Sequence, residues 1–319
     1  MTQPMWGPPP AMWGPPPAPR PGCVPLRPLG LGDLLDGSFK AIRRNPRVML
    51  GLSALIAIAQ AVLVAAFSLF AFASLGNITV SSTGNAAGTT GLGPLVGTES
   101  VQFVGIVAST LLGSILTGML TIAITQDVLG VTLTIGQVWQ RVRGRIWPLI
   151  AVALLTTVLE FVGLLFCIAP GVWLWGIWAV AVPALMVENT TIRGALRRSR
   201  QLVDGTFWRV WGVRALGALI ATVIGGFLVV PFEVVGFIVD NDMFSPSAGA
   251  NHVPLLFLVL TAIGSALSAT FTAPIRAGID SLLYVDLRMR KEGLDIALQH
   301  FVLQTAPVAP TTPPAATAF

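Results

Sequence analysis

Two carboxylic acids, Glu160 and Glu233, lie inside long apolar runs of this sequence. Glu160 lies well inside the run that begins near Ile146, and a carboxylate there costs roughly 2.5–3.5 kcal/mol on insertion into a bilayer. The apolar side chains of that run contribute roughly 4–8 kcal/mol, so the run inserts with Glu160 facing other helices or water. Two interpretations stay open for Glu160: a proton or solute relay, or a protonated or hydrogen-bonded packing residue. Glu233 lies late in its run, near the outer interface, where a carboxylate costs less.

A second group of candidate residues is basic. The apolar residues of segment 192–203 recur at helical spacing, which predicts an amphipathic helix lying flat in the lipid headgroup region. The opposite face of this helix carries four arginines: Arg193, Arg197, Arg198 and Arg200. Each arginine near an anionic leaflet contributes about 1 kcal/mol to binding, so we predict contacts with anionic lipid headgroups. Simple anchoring of the membrane topology is the alternative interpretation.

Residues for metal or nucleophilic chemistry are sparse. The two histidines, His252 and His300, are far apart in sequence, and the two cysteines, Cys23 and Cys167, form no zinc-ligand pattern. The sequence contains neither a G-x-S-x-G elbow nor a phosphate-binding loop ending in Gly-Lys-Ser/Thr. We therefore expect no metal, no cofactor and no enzymatic activity.

The elements that position these residues are apolar helices. The chain is 54% apolar and only 10% charged, against about 25% charged residues in an average soluble domain. Six runs are each long enough to cross roughly 30 Å of hydrocarbon: about 48–75, 101–125, 146–168, 170–187, 210–239 and 255–273. The predicted fold class is an all-α integral membrane protein with six transmembrane helices and cytosolic interfacial amphipathic helices.

The same plan recurs three times along the chain. Apolar stripes at 31–44 and 135–146 resemble the one at 192–203, and each precedes a pair of apolar runs. The chain is thus predicted to contain three units, each an amphipathic helix followed by a membrane hairpin. Residues 29–300 form the membrane domain, and residues 1–28 and 301–319 are predicted to be disordered tails, the first rich in Pro and the second in Pro, Ala and Thr.

Charge predicts the orientation. All nineteen Lys and Arg residues fall in the tails, in the loops near 126–145 and 188–209, or at the adjoining edges of the runs. The positive-inside rule places that side in the cytosol, with both termini, and the plasma membrane is the expected location. This use of basic residues argues against a nucleic-acid partner.

The N-terminal tail repeats MWGPPPA in tandem at 5–11 and 12–18. This tail is either a solvated extension or a docking motif for a protein partner with an aromatic groove.

Four stretches carry a family resemblance: PGVWLWGIWAVAVPALMVE (170–188), ALRRSRQLVDGTFWRV (195–210), LLYVDLRMRKEGLD (282–295) and RPLGLGDLLDGSFKAIRRNP (27–46). Together they resemble the bacterial glycerophosphoryl diester phosphodiesterase membrane domain family. The resemblance implies a polytopic plasma-membrane protein. The soluble phosphodiesterase domain fused to some members has a histidine-rich metal site with a His-Arg-Gly motif. No residue here matches it, so no catalytic residue is carried over.

Two functions are consistent with these features. The first is a non-enzymatic module that organises lipids or partner proteins at the cytosolic leaflet, linked to the cell envelope. The second is a transporter of a small solute or lipid that uses Glu160 and a polar cavity. A water-accessible cavity at Glu160 would favour transport, whereas a dry bundle with Glu160 hydrogen-bonded would favour the module.

Overall fold

The computed structural model describes residues 22–25, 27–75, 93–166, 168–239 and 255–294, and their side chains except for 71–75, 93–106 and 108. Within these ranges the chain is helical and contains no strand. The helices are α1 (Leu31–Arg44), α2 (Pro46–Leu75), α3 (Gly93–Val128), α4 (Ile135–Arg143), α5 (Ile146–Phe166), α6 (Ile168–Ile177), α7 (Ala181–Glu188), α8 (Ile192–Val203), α9 (Phe207–Val239) and α10 (Leu255–Glu292). The MWGPPPA repeat, Cys167, both histidines and the predicted 301–319 tail lie outside the described residues.

Six segments of the described chain are long and apolar enough to cross a membrane. They are Pro46–Phe70, Ser109–Val128, Ile146–Phe166, Ile168–Glu188, Phe207–Val239 and Leu255–Glu292. The predicted fold class is therefore confirmed: the chain is an all-α, multi-pass membrane protein. Its helices form because runs of apolar residues gain free energy in hydrocarbon only when their backbone groups bond to one another.

The element order repeats three times, as the stripes predict. The helices α1, α4 and α8 are short and amphipathic, and each is followed by two spans, the second unit having α6 and α7 together as its second span. The buried faces of these helices carry the predicted apolar positions, such as Leu34 on α1, Val138 on α4 and Leu202 on α8. The start of α8 is capped by Thr191, whose hydroxyl accepts a hydrogen bond from the N–H of Gly194 at 3.2 Å.

Polar contacts connect the three units at one end of the bundle. Asn45, just before α2, donates to the carbonyl of Leu133 at 2.9 Å. Arg145, just before α5, donates to the carbonyls of Asn189 and Thr190 at 2.9 and 3.2 Å. These bonds join the C-terminal ends of α1 and α4 to the next unit along the chain. We call this end, formed by α1, α4, α8 and the last four turns of α10, the basic end.

The fourth span is broken, which the sequence analysis did not predict. Residues Trp178–Val180 form a turn between α6 and α7. Pro183 has no N–H, so the carbonyl of Ala179 cannot receive the usual helical bond, and Pro183 is tolerated because it lies in the first turn of α7. The carbonyl of Ile177 instead accepts a 2.7 Å hydrogen bond from the buried hydroxyl of Ser199 on α8. The break is therefore stabilised by contacts from a neighbouring unit.

Packing against the helices begins before residue 29, within the segment predicted as the N-terminal tail. Cys23 and Val24 are buried in the core, where Cys23 lies beside Asp127 on α3. Burial, reinforced by the Asp127 carboxylate, raises the pKa of the Cys23 thiol from 9.0 to about 12. The thiol therefore stays protonated at neutral pH, and Cys23 acts as an apolar packing residue.

Candidate functional site

A polar cavity of about 430 Å³ lies among the six spans. This volume falls in the roughly 300–1,000 Å³ range of small-molecule sites. Every span contributes polar or helix-breaking residues to its wall. Examples in chain order are Gln60 (α2), Ser114 (α3), Glu160 (α5), Pro183 (α7), Arg214 (α9) and Asp280 (α10). We call it the Glu160 cavity.

Glu160 lies on the wall of this cavity, half-buried, one helical turn after Thr156. The Thr156 hydroxyl donates to the carbonyl of Ala153 at 3.0 Å, within its own helix. Glu160 has no hydrogen bond or ion pair with any residue that the structure describes. Its carboxyl group is therefore open to a ligand or to water in the cavity.

Arg214 and Asp280, which also line the cavity, form an ion pair with 3.4 Å between Nε and Oδ1. The Arg214 guanidinium lies 4.5 Å from the ring centroid of Trp175 and donates to the carbonyl of Trp175, near the end of α6. One side chain thus neutralises Asp280, stacks on an aromatic ring and satisfies a carbonyl of the broken span. The sequence did not single out Arg214. This arginine lies only seven residues after Phe207, where α9 begins, and an arginine near the start of a span is usually taken as a residue at the membrane edge.

Arg276 lies one turn before Asp280 on α10, but the ion pair of Asp280 is with Arg214 on the neighbouring helix. Arg276 is exposed and donates to the Thr222 hydroxyl on α9 at 3.4 Å. It also lines the Glu160 cavity. The cavity therefore contains one internally paired set of charges, Arg214 with Asp280, and two further ionic groups, Glu160 and Arg276.

The break in the fourth span adjoins the same cavity. Trp178 and Ala179 in the turn, and Ala181 and Val182 in the first turn of α7, line its wall. A helix N-terminus carries partial positive charge because its first N–H groups lack helical partners. Interrupted helices in membrane proteins are tolerated where they line a cavity.

Glu233, the second predicted membrane acid, does not belong to this site. It lies on α9 two residues after Pro231, half-buried. It does not line the Glu160 cavity. The structure thus separates the two carboxylates that the sequence put forward together.

The four arginines predicted to contact lipid divide into two kinds. Arg193, Arg197 and Arg200 are exposed, and their i, i+4, i+7 spacing places them on one face of α8. None of the three has an ion pair within the described part of the chain. They therefore form an exposed basic face at the basic end of the molecule, which we call the α8 basic face.

Arg198 is different because it connects three helices, α7, α8 and α10. It donates to both carboxylate oxygens of Glu188 at 2.8 and 2.9 Å and pairs with Glu292 at the end of α10. Tyr284 donates to Glu188 at 2.8 Å, and Arg288 donates to Glu292 at 2.9 Å. Arg198 is therefore engaged by carboxylates of the protein, whereas Arg193, Arg197 and Arg200 have no carboxylate partner in the described chain.

Asp286 forms a second ionic cluster, which sequence analysis did not single out. This carboxylate is fully buried and accepts hydrogen bonds from the N–H of Leu29 at 2.7 Å, from Arg209 at 2.9 Å and from Arg290 at 2.9 and 3.0 Å. Both arginines also donate to the carbonyl of Leu29. The cluster joins α10 to the start of α9 and to the segment before α1. The one sequence signal was an acid in the apolar run 282–287, four residues before an arginine.

Within the described residues, no group of three or more His, Cys, Asp or Glu side chains could hold a metal ion. The fold and the cavity define the class of protein: a multi-pass helical membrane protein with an ionic cavity among its spans. Comparison with protein-family models, curated proteins and solved structures gives no match for this chain.

Proposed function

We propose that this protein is a membrane transporter that binds a small polar solute or a lipid headgroup in the Glu160 cavity. The observation that carries the proposal is the cavity itself, with ionic side chains on its wall. Four charged groups, Glu160, Arg214, Arg276 and Asp280, line one volume within segments that span the membrane. Only Arg214 and Asp280 are paired with each other.

Energetics support this assignment. A charged side chain at the centre of a membrane helix costs roughly 2.5–3.5 kcal/mol, so such groups usually mark a pathway or a binding site. The broken fourth span adds to the argument, because transporter binding sites are commonly built from interrupted helices near the bilayer midplane. Glu160 forms no hydrogen bond or ion pair within the described residues, which leaves its carboxyl group able to bind a solute in the cavity.

Cysteine labelling tests this proposal. In protein whose two native cysteines are replaced by alanine, Thr156→Cys should react with a small water-soluble methanethiosulfonate reagent from both sides of the membrane. Val158→Cys, on the exposed face of the same helix, should react at least about tenfold more slowly, because a thiol in lipid does not ionise. Rates are measured in vesicles of defined orientation. Equal, slow reaction at both positions contradicts a water-filled cavity, and reaction of Thr156→Cys from one side only, under all conditions, contradicts alternating access.

A second function is supported by the α8 basic face. Here the protein would be a non-enzymatic module that gathers anionic lipids at the cytosolic leaflet and serves the cell envelope. Three exposed arginines without carboxylate partners in the described chain fit this role. At about 1 kcal/mol per charge, the face contributes about 3 kcal/mol to anionic-lipid contact.

The triple variant Arg193→Gln, Arg197→Gln, Arg200→Gln tests the lipid role. We expect it to keep its thermal stability and to lose the enrichment of phosphatidylglycerol around the protein in mixed-lipid nanodiscs. Arg198→Gln is the matched control: it should lower stability, because Glu188 and Glu292 lose their partner, while lipid enrichment stays close to that of the parent. Unchanged enrichment in the triple variant would leave these arginines with a topological role alone.

Three further assignments belong with these proposals. Membership in the glycerophosphoryl diester phosphodiesterase membrane domain family rests on the quoted stretches of α6–α10 and α1. A bacterial plasma membrane with both termini in the cytosol rests on the distribution of Lys and Arg. A protein partner for the N-terminal tail rests on its repeated proline-rich heptapeptide.

A further inference from the structure

An apolar groove of about 300 Å³ lies beside the Glu160 cavity, between α2, α3 and α10. Its walls are mainly small side chains. Those of α2 and α10 include Ala57, Ala61, Ala65, Ala262, Ser265 and Ala269. Small residues usually allow membrane helices to approach closely. Here a volume remains between them, with an apolar surface suited to a hydrocarbon chain.

The groove and the cavity share a boundary. Gln60 and Ala269 line both volumes. The Gln60 amide donates to the carbonyl of Ser109 on α3 at 2.8 Å, which holds its side chain in place at the boundary. A molecule with a polar end and an apolar end could therefore lie across the two volumes.

The two volumes are ordered along the bundle. On α10 the groove residues run from Leu258 to Ala269, and the cavity residues run from Ala269 to Asp280, closer to the basic end. A polar head in the cavity would thus lie nearer the basic end, with its chain pointing away from it. A lipid of the leaflet at the basic end has the same direction.

The ionic groups left over by the Arg214–Asp280 pair define the headgroup. Arg276 makes one long hydrogen bond, to Thr222, so its guanidinium has donors to spare for phosphate. Glu160 forms no hydrogen bond or ion pair within the described residues, so its carboxylate oxygens can accept hydrogen bonds from an ammonium group. A ligand that satisfies both residues carries a phosphate and an amine.

We infer that the ligand of the Glu160 cavity is an aminophospholipid, with its phosphate and amine in the cavity and an acyl chain in the adjoining groove. This inference rests on the proposed transport function and specifies its substrate. The Glu160 cavity would thus differ in selectivity from the α8 basic face, which would bind anionic lipids whether or not they carry an amine.

Native mass spectrometry of the full chain tests the inference. Delipidated protein in mild detergent is titrated separately with phosphatidylethanolamine, with phosphatidylglycerol, which lacks the amine, and with glycerophosphoethanolamine, which lacks the chains. Phosphatidylethanolamine should bind about tenfold or more tightly than either, since a charge-assisted hydrogen bond contributes roughly 1.5–3 kcal/mol. Glu160→Gln should reduce binding of phosphatidylethanolamine to the level of phosphatidylglycerol.

Groove variants separate the chain from the headgroup. Ala61→Leu and Ala262→Leu fill the groove and should each weaken phosphatidylethanolamine binding, whereas Ala66→Leu, exposed on the same helix α2, should not. Thermal unfolding of each variant shows that it is folded, and the two groove positions on different helices guard against a local packing defect.

Four outcomes of these experiments distinguish the alternatives. Tight binding of phosphatidylethanolamine that both groove variants and Glu160→Gln weaken supports the inference. If glycerophosphoethanolamine binds as tightly as phosphatidylethanolamine, and the two groove variants do not weaken binding, the lipid assignment is wrong. Transport of a polar solute remains possible in that case. Equal binding of the two lipids, unaffected by Glu160→Gln, overturns the amine contact. Slow labelling of Thr156→Cys overturns the transport function and this inference together.

Discussion

Asp286→Ala should destabilise the protein by about 3–5 kcal/mol, the usual effect of removing one partner from a buried ionic cluster. The alanine leaves the guanidiniums of Arg209 and Arg290 facing each other without the buried carboxylate between them. It also removes the acceptor of the Leu29 N–H. Denaturant-induced unfolding in detergent micelles measures the change.

Asp36→Ala is the matched control for Asp286→Ala. Asp36 pairs with Lys40 on the exposed face of α1, at the same end of the bundle. An exposed pair at i, i+4 contributes little, so stability should stay close to that of the parent. If the two variants lose equal stability, the Asp286 cluster does not hold the helices together as argued.

Arg214→Ala should produce a loss of similar size, about 3–5 kcal/mol, for a related reason. The variant leaves Asp280 without its ion-pair partner and the carbonyl of Trp175 without its donor. The turn between α6 and α7 should loosen as a result. Unfolding in micelles gives the stability, and hydrogen exchange at residues 175–182 reports on the turn.

The double variant Arg214→Ala, Asp280→Ala separates the two roles of Arg214. Removing both charges also removes the unpaired carboxylate, so the double variant should be more stable than Arg214→Ala by about 1 kcal/mol or more. Exchange at residues 175–182 should stay fast, because the donor to Trp175 is still missing. Additive losses for the two substitutions would contradict a direct interaction between these side chains.

These two clusters explain why charged residues persist in such an apolar chain. The Asp286 cluster joins the first and third units, and Arg214 joins the third unit to the broken span of the second. Arg198 does the same between α8 and α10. Ionic contacts therefore supply the connections between units that apolar packing in lipid does not specify, since lipid tails are as apolar as leucine.

Much of the architecture follows from the sequence. The amphipathic helices were predicted at 31–44 and 192–203 and occur at Leu31–Arg44 and Ile192–Val203. The six spans were predicted from apolar runs and are present in the described chain. Such predictions succeed because helical periodicity and run length are local properties of a segment. They alone decide whether the segment partitions into hydrocarbon or lies at its boundary with water.

The break in the fourth span shows where that approach ends. Run 170–187 is apolar throughout, and the two carbonyls near its middle are satisfied by Ser199 and Arg214. Both donors come from later helices, so the turn at Trp178–Val180 depends on tertiary contacts. Pro183 was visible in the sequence, but a proline inside a membrane helix is compatible with either a kink or a continuous span.

The sequence by itself determined that this chain enters a membrane, how often it crosses, where its amphipathic helices lie and that Glu160 lies inside an apolar run. Hydropathy, charge and spacing decide these properties one segment at a time. Only the tertiary structure decided that Glu160 faces a cavity, that Arg198 is tied to Glu188 and Glu292, and that Asp280 pairs with Arg214 rather than with its helical neighbour. Those outcomes depend on which helices meet and at what depth, because an ion pair between residues 66 positions apart forms only when packing brings their side chains within about 4 Å.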